Sequence, residues 1–244
     1  MTLIELLVVI SIIGVLAGLT LPAVLGVKKK ARVMQAKKDM SDLQGAINVY
    51  QNDYSRLPAS GAPNGATTLG TDFTYGTTGT GYGTNIWNNN NVGYQASNAE
   101  LMLILTASQS FANYTTNTCN AADARNTRKI GYFNAKNSGA TGALAGSGLG
   151  TDGVMRDPWG SPYIVSLDLN YDNWVTNSVY NDNTVNGFNV GLVRQGAVGT
   201  STWALKDYVM IFSFGPDGSF APSSATAAVP ANVDPNKDNV LSWK

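Results

Sequence analysis

A chain of 244 residues with no His and a single cysteine, Cys119, has a formal net charge of zero, and only 13% of its residues are charged. Without His it cannot build a His-dependent triad, a His general base or a His-ligated metal centre, and one cysteine makes neither an intrachain disulfide nor a multi-cysteine metal site. The charge is uneven: residues 1 to 56 hold seven Lys/Arg against four Asp/Glu, and the rest hold nine against twelve, a mildly acidic balance that argues against nucleic acid as a partner. Cys119 reads as a small, partly buried residue rather than a reactive thiol.

The chain begins MTLIELLVVISIIGVLAGLTLPAVLGV. From Leu6 to Val27 there are 22 uncharged residues, and as a helix they measure about 33 Å against a hydrocarbon core of about 30 Å. Residues 1–27 therefore read as a transmembrane or filament-core helix. The basic cluster Lys28, Lys29, Lys30 and Arg32 follows the apolar run, the reverse of a secretory signal peptide, although it also suits the cytoplasmic flank of an ordinary anchor. Glu5 is out of place in either setting, since a carboxylate near lipid costs a few kcal/mol, on the order of the cheapest insertion scales. No side chain in residues 1 to 27 is cationic, which leaves the α-amine of Met1, either its own or that of an identical helix shifted along the axis. Gly14, Gly18 and Pro22 weaken a helix interior by about 1 and 3 kcal/mol respectively. They mark either a helix break, where the chain melts and extends, or glycine packing with a simple proline kink.

Residues 28–56 predict an amphipathic stalk helix. Val33, Ala36, Met40, Leu43, Ile47, Tyr50 and Tyr54 recur at steps of three and four, which is one helical stripe. Arg56-Leu57-Pro58 stops it, so that the whole helix is about 80 Å long. Residues 57–244 form the head. Residues 59–96, rich in Gly, Thr and Asn, predict a polar loop or short irregular strands; the GTGYG within them lacks the preceding strand and following Lys of a phosphate loop. Ser97-Asn98-Ala99-Glu100 is a capping box ahead of LMLIL and predicts a short helix near 98–107. Strand-like runs at 163–169, 174–180, 188–193 and 207–214 predict an antiparallel sheet over about 163–214, laid on the stalk, followed by a C-terminal loop, 215–244. The fold class is α+β, a long N-terminal helix packed on a C-terminal antiparallel head with long loops.

Between the strands lies Asp157-Pro158-Trp159-Gly160-Ser161-Pro162-Tyr163. Two prolines and a glycine fix a structural turn there, with Trp159 and Tyr163 as its apolar anchors, and nothing in it is catalytic. Asp168, Asn170 and Asp172 alternate in one loop and Asp234, Asn236 and Asp238 in another, a pattern that converges on hard cations in the first half of an EF-hand. Neither copy has glycine at its sixth position, and in the first Val179 stands where that motif has Glu, so neither is an EF-hand. Asx-turns account for the first cluster equally well. Asn113-Tyr114-Thr115 matches a glycosylation triplet, which chance supplies readily in a chain this rich in Asn and Thr.

MTLIELLVVISIIGVLAG followed by LPAVLGVKKKA closely resembles the mature amino terminus of type IV pilins and type II secretion pseudopilins, with Thr2, Glu5, Gly14 and Pro22 at the positions the family pattern uses. Met1 stands where Phe is commoner. The resemblance covers about the first 55 residues. It implies a precursor cut by a prepilin peptidase, N-methylation on Met1, a sequence given in processed form, and Glu5 paired with the Met1 amine of a neighbouring subunit. DPWGSPY resembles the DPWGNPY turn of major type II secretion pseudopilins, with Ser161 in place of Asn. FSFGPDGSF and the terminal KDNVLSW resemble the calcium loop of the same proteins. That implies calcium as a cofactor near Asp217 and Asp238, with Asp234 and oxygens around Ser213 and Phe214 as further ligands, although the intervening APSSATAAVPANVDP departs from the family's glycine-rich stretch.

The expected function is a structural, self-assembling subunit and not an enzyme: a homo-oligomer drawn from the inner membrane by filament assembly machinery into a periplasmic or extracellular helical filament of a bacterium. A secretion pseudopilus is the first reading, and an adhesive or motile surface pilus the second. A membrane-tethered enzyme or binding protein is a reading of another class; its carboxylates would be Asp157, Asp168 and Asp172, all in turn contexts without a nucleophile.

Overall fold

A single α-helix, α1 (Leu3–Tyr54), runs for 52 residues and is about 78 Å long at 1.5 Å per residue. The computed structural model describes residues 2–59, 72–77, 95–112, 119–139, 146–177, 180, 190–195, 202–219, 230–234 and 236–244, with the side chains of 19–23, 25, 95 and 202 outside that set. The helix ends at Tyr54, where Ser55 adopts the left-handed conformation (φ 52°, ψ 29°) and its N–H donates to Gln51 O at 2.7 Å.

The helix carries on through Gly14, Gly18 and Pro22 without a break. One proline removes one backbone hydrogen bond, and the turns on either side keep theirs, so the break expected there is absent from this conformation. Among the described residues no helix is long and apolar enough to cross a membrane. The fully described apolar stretch of α1 reaches only from Leu3 to Gly18, fewer than the roughly 20 residues a span requires.

The predicted stripe is the side of α1 that meets the head. Ala36, Met40, Leu43, Ile47 and Tyr50 are buried, and Val33 and Tyr54 pack at the margins of the same cluster. Polar contacts fix the helix rotation: Tyr50 Oη donates to Arg125 O at 2.6 Å, Tyr132 Oη to Asp53 at 2.7 Å and Tyr163 Oη to Asp39 at 3.1 Å.

Among the described residues the head has ten short strands: β1 (Phe73–Tyr75), β2 (Gln95–Ala96), β3 (Gly148–Leu149), β4 (Met155–Arg156), β5 (Ile164–Leu167), β6 (Val175–Thr176), β7 (Val193–Gln195), β8 (Thr202–Leu205), β9 (Val209–Ser213) and β10 (Val240–Leu241). The expected single antiparallel sheet is instead three sheets: a five-stranded one ordered β10-β9-β5-β1-β2, a β3-β4 pair, and a three-stranded one ordered β6-β8-β7. β1 and β2 pair in parallel and the other pairs are antiparallel. Two boundaries change with it. The polar stretch 59–96 contributes β1 and β2 to the main sheet, and the C-terminal segment 215–244 returns as β10, an edge strand.

The central sheet is covered on both faces. Val165, Leu167, Val209 and Ile211 face α1, while the alternating Ile164, Met210 and Phe212 join a second cluster with Val175, Leu192, Tyr180 and Trp243 under the small sheet. Because both faces are buried, β9 is apolar at every position from Val209 to Phe212, and period-two alternation is absent from its sequence.

The short helix α2 (Asn98–Leu105) is buried at all eight positions. Ser97 caps it by accepting from the Ala99 N–H at 3.2 Å, and Ala107, at a left-handed φ of 54°, follows its last turn. Asn98 binds it to the rest of the head: Nδ2 donates to Met155 O and Tyr163 O, both at 2.9 Å, and Oδ1 accepts from the Met155 N–H at 3.0 Å.

Candidate functional site

The first half of α1 holds no head contacts through its described side chains. Leu3, Ile4, Leu6, Leu7, Val8, Val9, Ile10, Ile12, Ile13, Val15 and Leu16 are between 48% and 82% exposed, and they point in all directions around the helix. A helix apolar all round is one that a partner buries, whether lipid or other helices.

Glu5 sits in its first turn and has a role that the sequence states directly but that was missed there. Thr2-Leu3-Ile4-Glu5 is a Thr-x-x-Glu capping box: the Glu5 N–H donates to Thr2 Oγ1 at 3.3 Å, and Glu5 Oε2 accepts from the Thr2 N–H at 2.7 Å. In the single chain the carboxylate therefore satisfies the helix N-terminus and sits favourably at its positive end. Met1 lies outside the described residues, and with it the Met1–Glu5 pairing.

The turn from Asp157 to Tyr163 is built around one carboxylate. Asp157 Oδ1 accepts from the Trp159 and Ser161 N–H groups, both at 2.9 Å, its N–H donates to Ser161 O at 2.8 Å, and Gly160 takes a φ of 99°. Asp157 Oδ2 accepts from the Ser213 hydroxyl at 2.5 Å, linking the turn to β9. Asp157 is fully buried, and burial pushes its carboxyl up to about 6 against those hydrogen bonds. Pro162 and Tyr163 are buried, while Pro158, Trp159 and Gly160 are half-buried, with Trp159 against the main core. The turn is structural.

Of the acidic residues predicted at the C-terminal end, the fold brings Asp217 and Asp238 together. They lie on facing 3-10 turns, Gly215–Asp217 and Asn236–Asp238, and the Asp217 N–H donates to Asp238 Oδ2 at 3.3 Å. Asp238 Oδ1 is buried with no hydrogen-bond partner. Burial first, then the Asp217 and Asp234 charges, push the Asp238 carboxyl up. Asp234 is exposed beside them. Ser213 turns its hydroxyl away, to Asp157 and to the Gly215 N–H.

In the other cluster the side chains serve the loop itself. Asn170 Oδ1 accepts from the Asp172 N–H at 3.2 Å and Asp172 Oδ1 from the Trp174 N–H at 2.8 Å, which are Asx-type turns, and Asp168 Oδ2 accepts from the Asn173 N–H at 2.9 Å across the loop. Among the described residues no group of three or more Asp, Glu or Cys side chains is placed to hold a metal. Cys119 lies half-buried with its thiol on Glu100 O at 3.6 Å, and burial pushes it up to about 12, so it is unreactive. The GTGYG segment and Asn113-Tyr114-Thr115 lie outside the described residues.

Over 59 residues the chain is 44% identical to "Type II secretion system core protein G" of Klebsiella pneumoniae, a match covering 24% of this chain and 42% of that protein. Proteins of the same name from Pectobacterium carotovorum subsp. carotovorum and Escherichia coli (strain K12) are each 42% identical over 59 residues, covering 38% and 41% of their lengths. The matched segment thus spans about two fifths of these relatives. No model of a known protein family matches the chain, and no solved structure does. The likeness to type II secretion pseudopilins read from the amino terminus is borne out by these relatives.

Proposed function

We propose that this chain is a structural, non-enzymatic subunit that assembles through the first half of α1 into a pilus-like filament, most like the major pseudopilin of a type II secretion system. One observation carries the reading: a helix that is exposed and apolar all round for its first turns, continuous with a second half that is the spine of the head. The relatives' printed name supports the secretion assignment over a surface pilus.

Before assembly, residues 1–27 lie in the inner membrane of a bacterium. A prepilin peptidase then exposes Met1, which is N-methylated, and assembly machinery moves the chain into a periplasmic or extracellular filament. On entry Glu5 exchanges the Thr2 N–H for the Met1 amine of a neighbour, an ion pair with a full positive charge in place of a carboxylate–amide hydrogen bond. The segment from Gly14 to Pro22, helical in the isolated chain, gives up hydrogen bonds as the subunit extends. Calcium held by Asp217 and Asp238 fits the orphaned Asp238 oxygen and the two adjacent carboxylates, and would supply the positive charge that pair lacks.

Negative-stain microscopy of the assembled protein tests the proposal, with wild type and Glu5→Ala compared beside the thermal midpoint of each head. We expect uniform thin filaments from wild type and none from Glu5→Ala, with the two midpoints within about 1 °C because Glu5 touches no head residue. Monodisperse wild-type subunits, or filaments undiminished by Glu5→Ala, would overturn it.

A further inference from the structure

The face of the five-stranded sheet that looks away from α1 changes character from one side to the other. Near β9 it is apolar, with Met210 and Phe212. At the β1–β5 pair it becomes a strip of oxygens. Thr74 and Ser166 stand opposite each other and share a hydrogen bond at 3.0 Å, and Asn177 Nδ2 donates to Ser166 Oγ at 2.8 Å. One residue beyond the last ladder pair, Phe73 opposite Leu167, the same face carries Asp72 and Asp168. They are 8% and 2% exposed.

Each carboxylate uses one oxygen only. Asp72 Oδ2 accepts from the Thr176 N–H and hydroxyl, both at 2.6 Å, and Asp168 Oδ2 accepts from the Asn173 N–H. Asp72 Oδ1 and Asp168 Oδ1 are both buried with no hydrogen-bond partner. Like charges directly across an antiparallel ladder repel, and a buried charge is stable only when paired or bound to a metal. Among the described residues no Lys or Arg forms an ion pair with either. Two orphaned carboxylate oxygens on one face, at neighbouring positions, lack a positive charge of the right hardness.

We propose that Asp72 and Asp168 together bind a hard divalent cation of calcium size at the β1–β5 pair of the sheet, through Asp72 Oδ1 and Asp168 Oδ1, with backbone and hydroxyl oxygens beside them, rather than bulk water, completing the shell. Calcium takes six to eight oxygens, and a site with only two protein carboxylates belongs to the weak class, about 10⁻⁴ to 10⁻³ M. Asp172, in the loop that follows β5, adds its charge to the field at both residues. The bound ion ties β1, which arises inside the polar stretch 59–96, to β5 by a second means besides the ladder. This site is separate from the Asp217–Asp238 turns: those adjoin β9 and β10, and β5 lies between them and β1.

The test uses the full chain in detergent micelles, carrying Asp217→Asn and Asp238→Asn so that the C-terminal turns take no part. After chelation, calcium chloride is titrated in and binding is followed by calorimetry and by the thermal midpoint. We expect saturable binding of one ion in the millimolar range or tighter, with a rise of several degrees. Adding either Asp72→Asn or Asp168→Asn should abolish both signals. In chelator, Asp168→Asn should melt no lower than its parent, since it removes a repelling charge and keeps an acceptor for Asn173; this second variant decides the matter if Asp72→Asn fails to fold. Absence of a calcium response in the Asp217→Asn/Asp238→Asn chain, or its persistence in both added variants, would overturn the proposal. So would a parent whose midpoint in chelator falls, relative to that of the Asp168→Asn variant, as pH rises from 5 to 8 and is not restored by calcium, because that marks a shared proton instead of a cation; the comparison cancels the Asp157 carboxyl, which both chains carry.

Discussion

Asp157 shows how one side chain can define a turn and tie it to a sheet. Its two oxygens receive separate duties, Oδ1 from the Trp159 and Ser161 N–H groups and Oδ2 from Ser213. An amide can still accept at Oδ1, so Asp157→Asn keeps the turn, whereas Asp157→Ala strands two N–H groups and a hydroxyl and should cost about 2 to 4 kcal/mol in chemical denaturation. The ionised form, however, is disfavoured by burial, and the carboxyl titrates near 6 when folded against an ordinary 3.8. A raised carboxyl contributes its full stability below the unfolded value and loses it as pH climbs through the folded one. Between pH 4 and 7 Asp157→Asn should therefore gain on wild type by up to about 3 kcal/mol. A constant difference across that range would show that the hydrogen bonds, not burial, control the group. The turn's outline could be read from two prolines and a glycine; that its carboxylate would reach β9 could not, because Ser213 is 56 residues away.

At the scale of elements, α1 is one helix in two settings, exposed and apolar in its first half and packed on the head in its second. From Val33 onward its stripe was legible in the sequence, since steps of three and four place side chains on one face whatever they pack against, and burial of Ala36, Met40, Leu43, Ile47 and Tyr50 follows that stripe. The strands were less legible. β1 is three residues in a Gly- and Thr-rich stretch, and its identity depends on Val165 to Leu167, some ninety positions later; β10 likewise exists only against Phe212 and Ser213. Asp72 could not be recognised as a partner of Asp168 without that pairing. The two halves of α1 should respond oppositely to truncation of a side chain. Ile47→Ala opens a cavity at a fully buried site and should destabilise the head by about 2 to 5 kcal/mol, while Val15→Ala, 64% exposed, should change head stability by less than about 0.5 kcal/mol and show its effect only in filament yield. Equal losses of stability would mean that the first half of α1 packs against the head after all.

At the scale of the whole molecule, this division allows the head to be separated from the exposed first half of α1. The described side chains from Thr2 to Arg32 are all exposed, so they add nothing to either core cluster, and the first inward-facing residues are Val33 and Ala36. The charge divides in the same place, with the Lys28 to Arg32 cluster at the end of the apolar half. A chain beginning at Lys28 keeps every buried residue of the stripe and about one extra turn of helix before it. It should be soluble without detergent and melt within about 2 °C of the full chain, because helix ends away from the core contribute little to global stability. Near-ultraviolet circular dichroism during heating would give both midpoints, and a fall of more than about 5 °C, beyond what an exposed surface change produces in a domain of this size, would place part of the head's stability in residues 1–27. With the midpoint unchanged and filaments lost, the first half of α1 is an addition made for assembly, whose apolar surface is stable only when other helices or lipid enclose it.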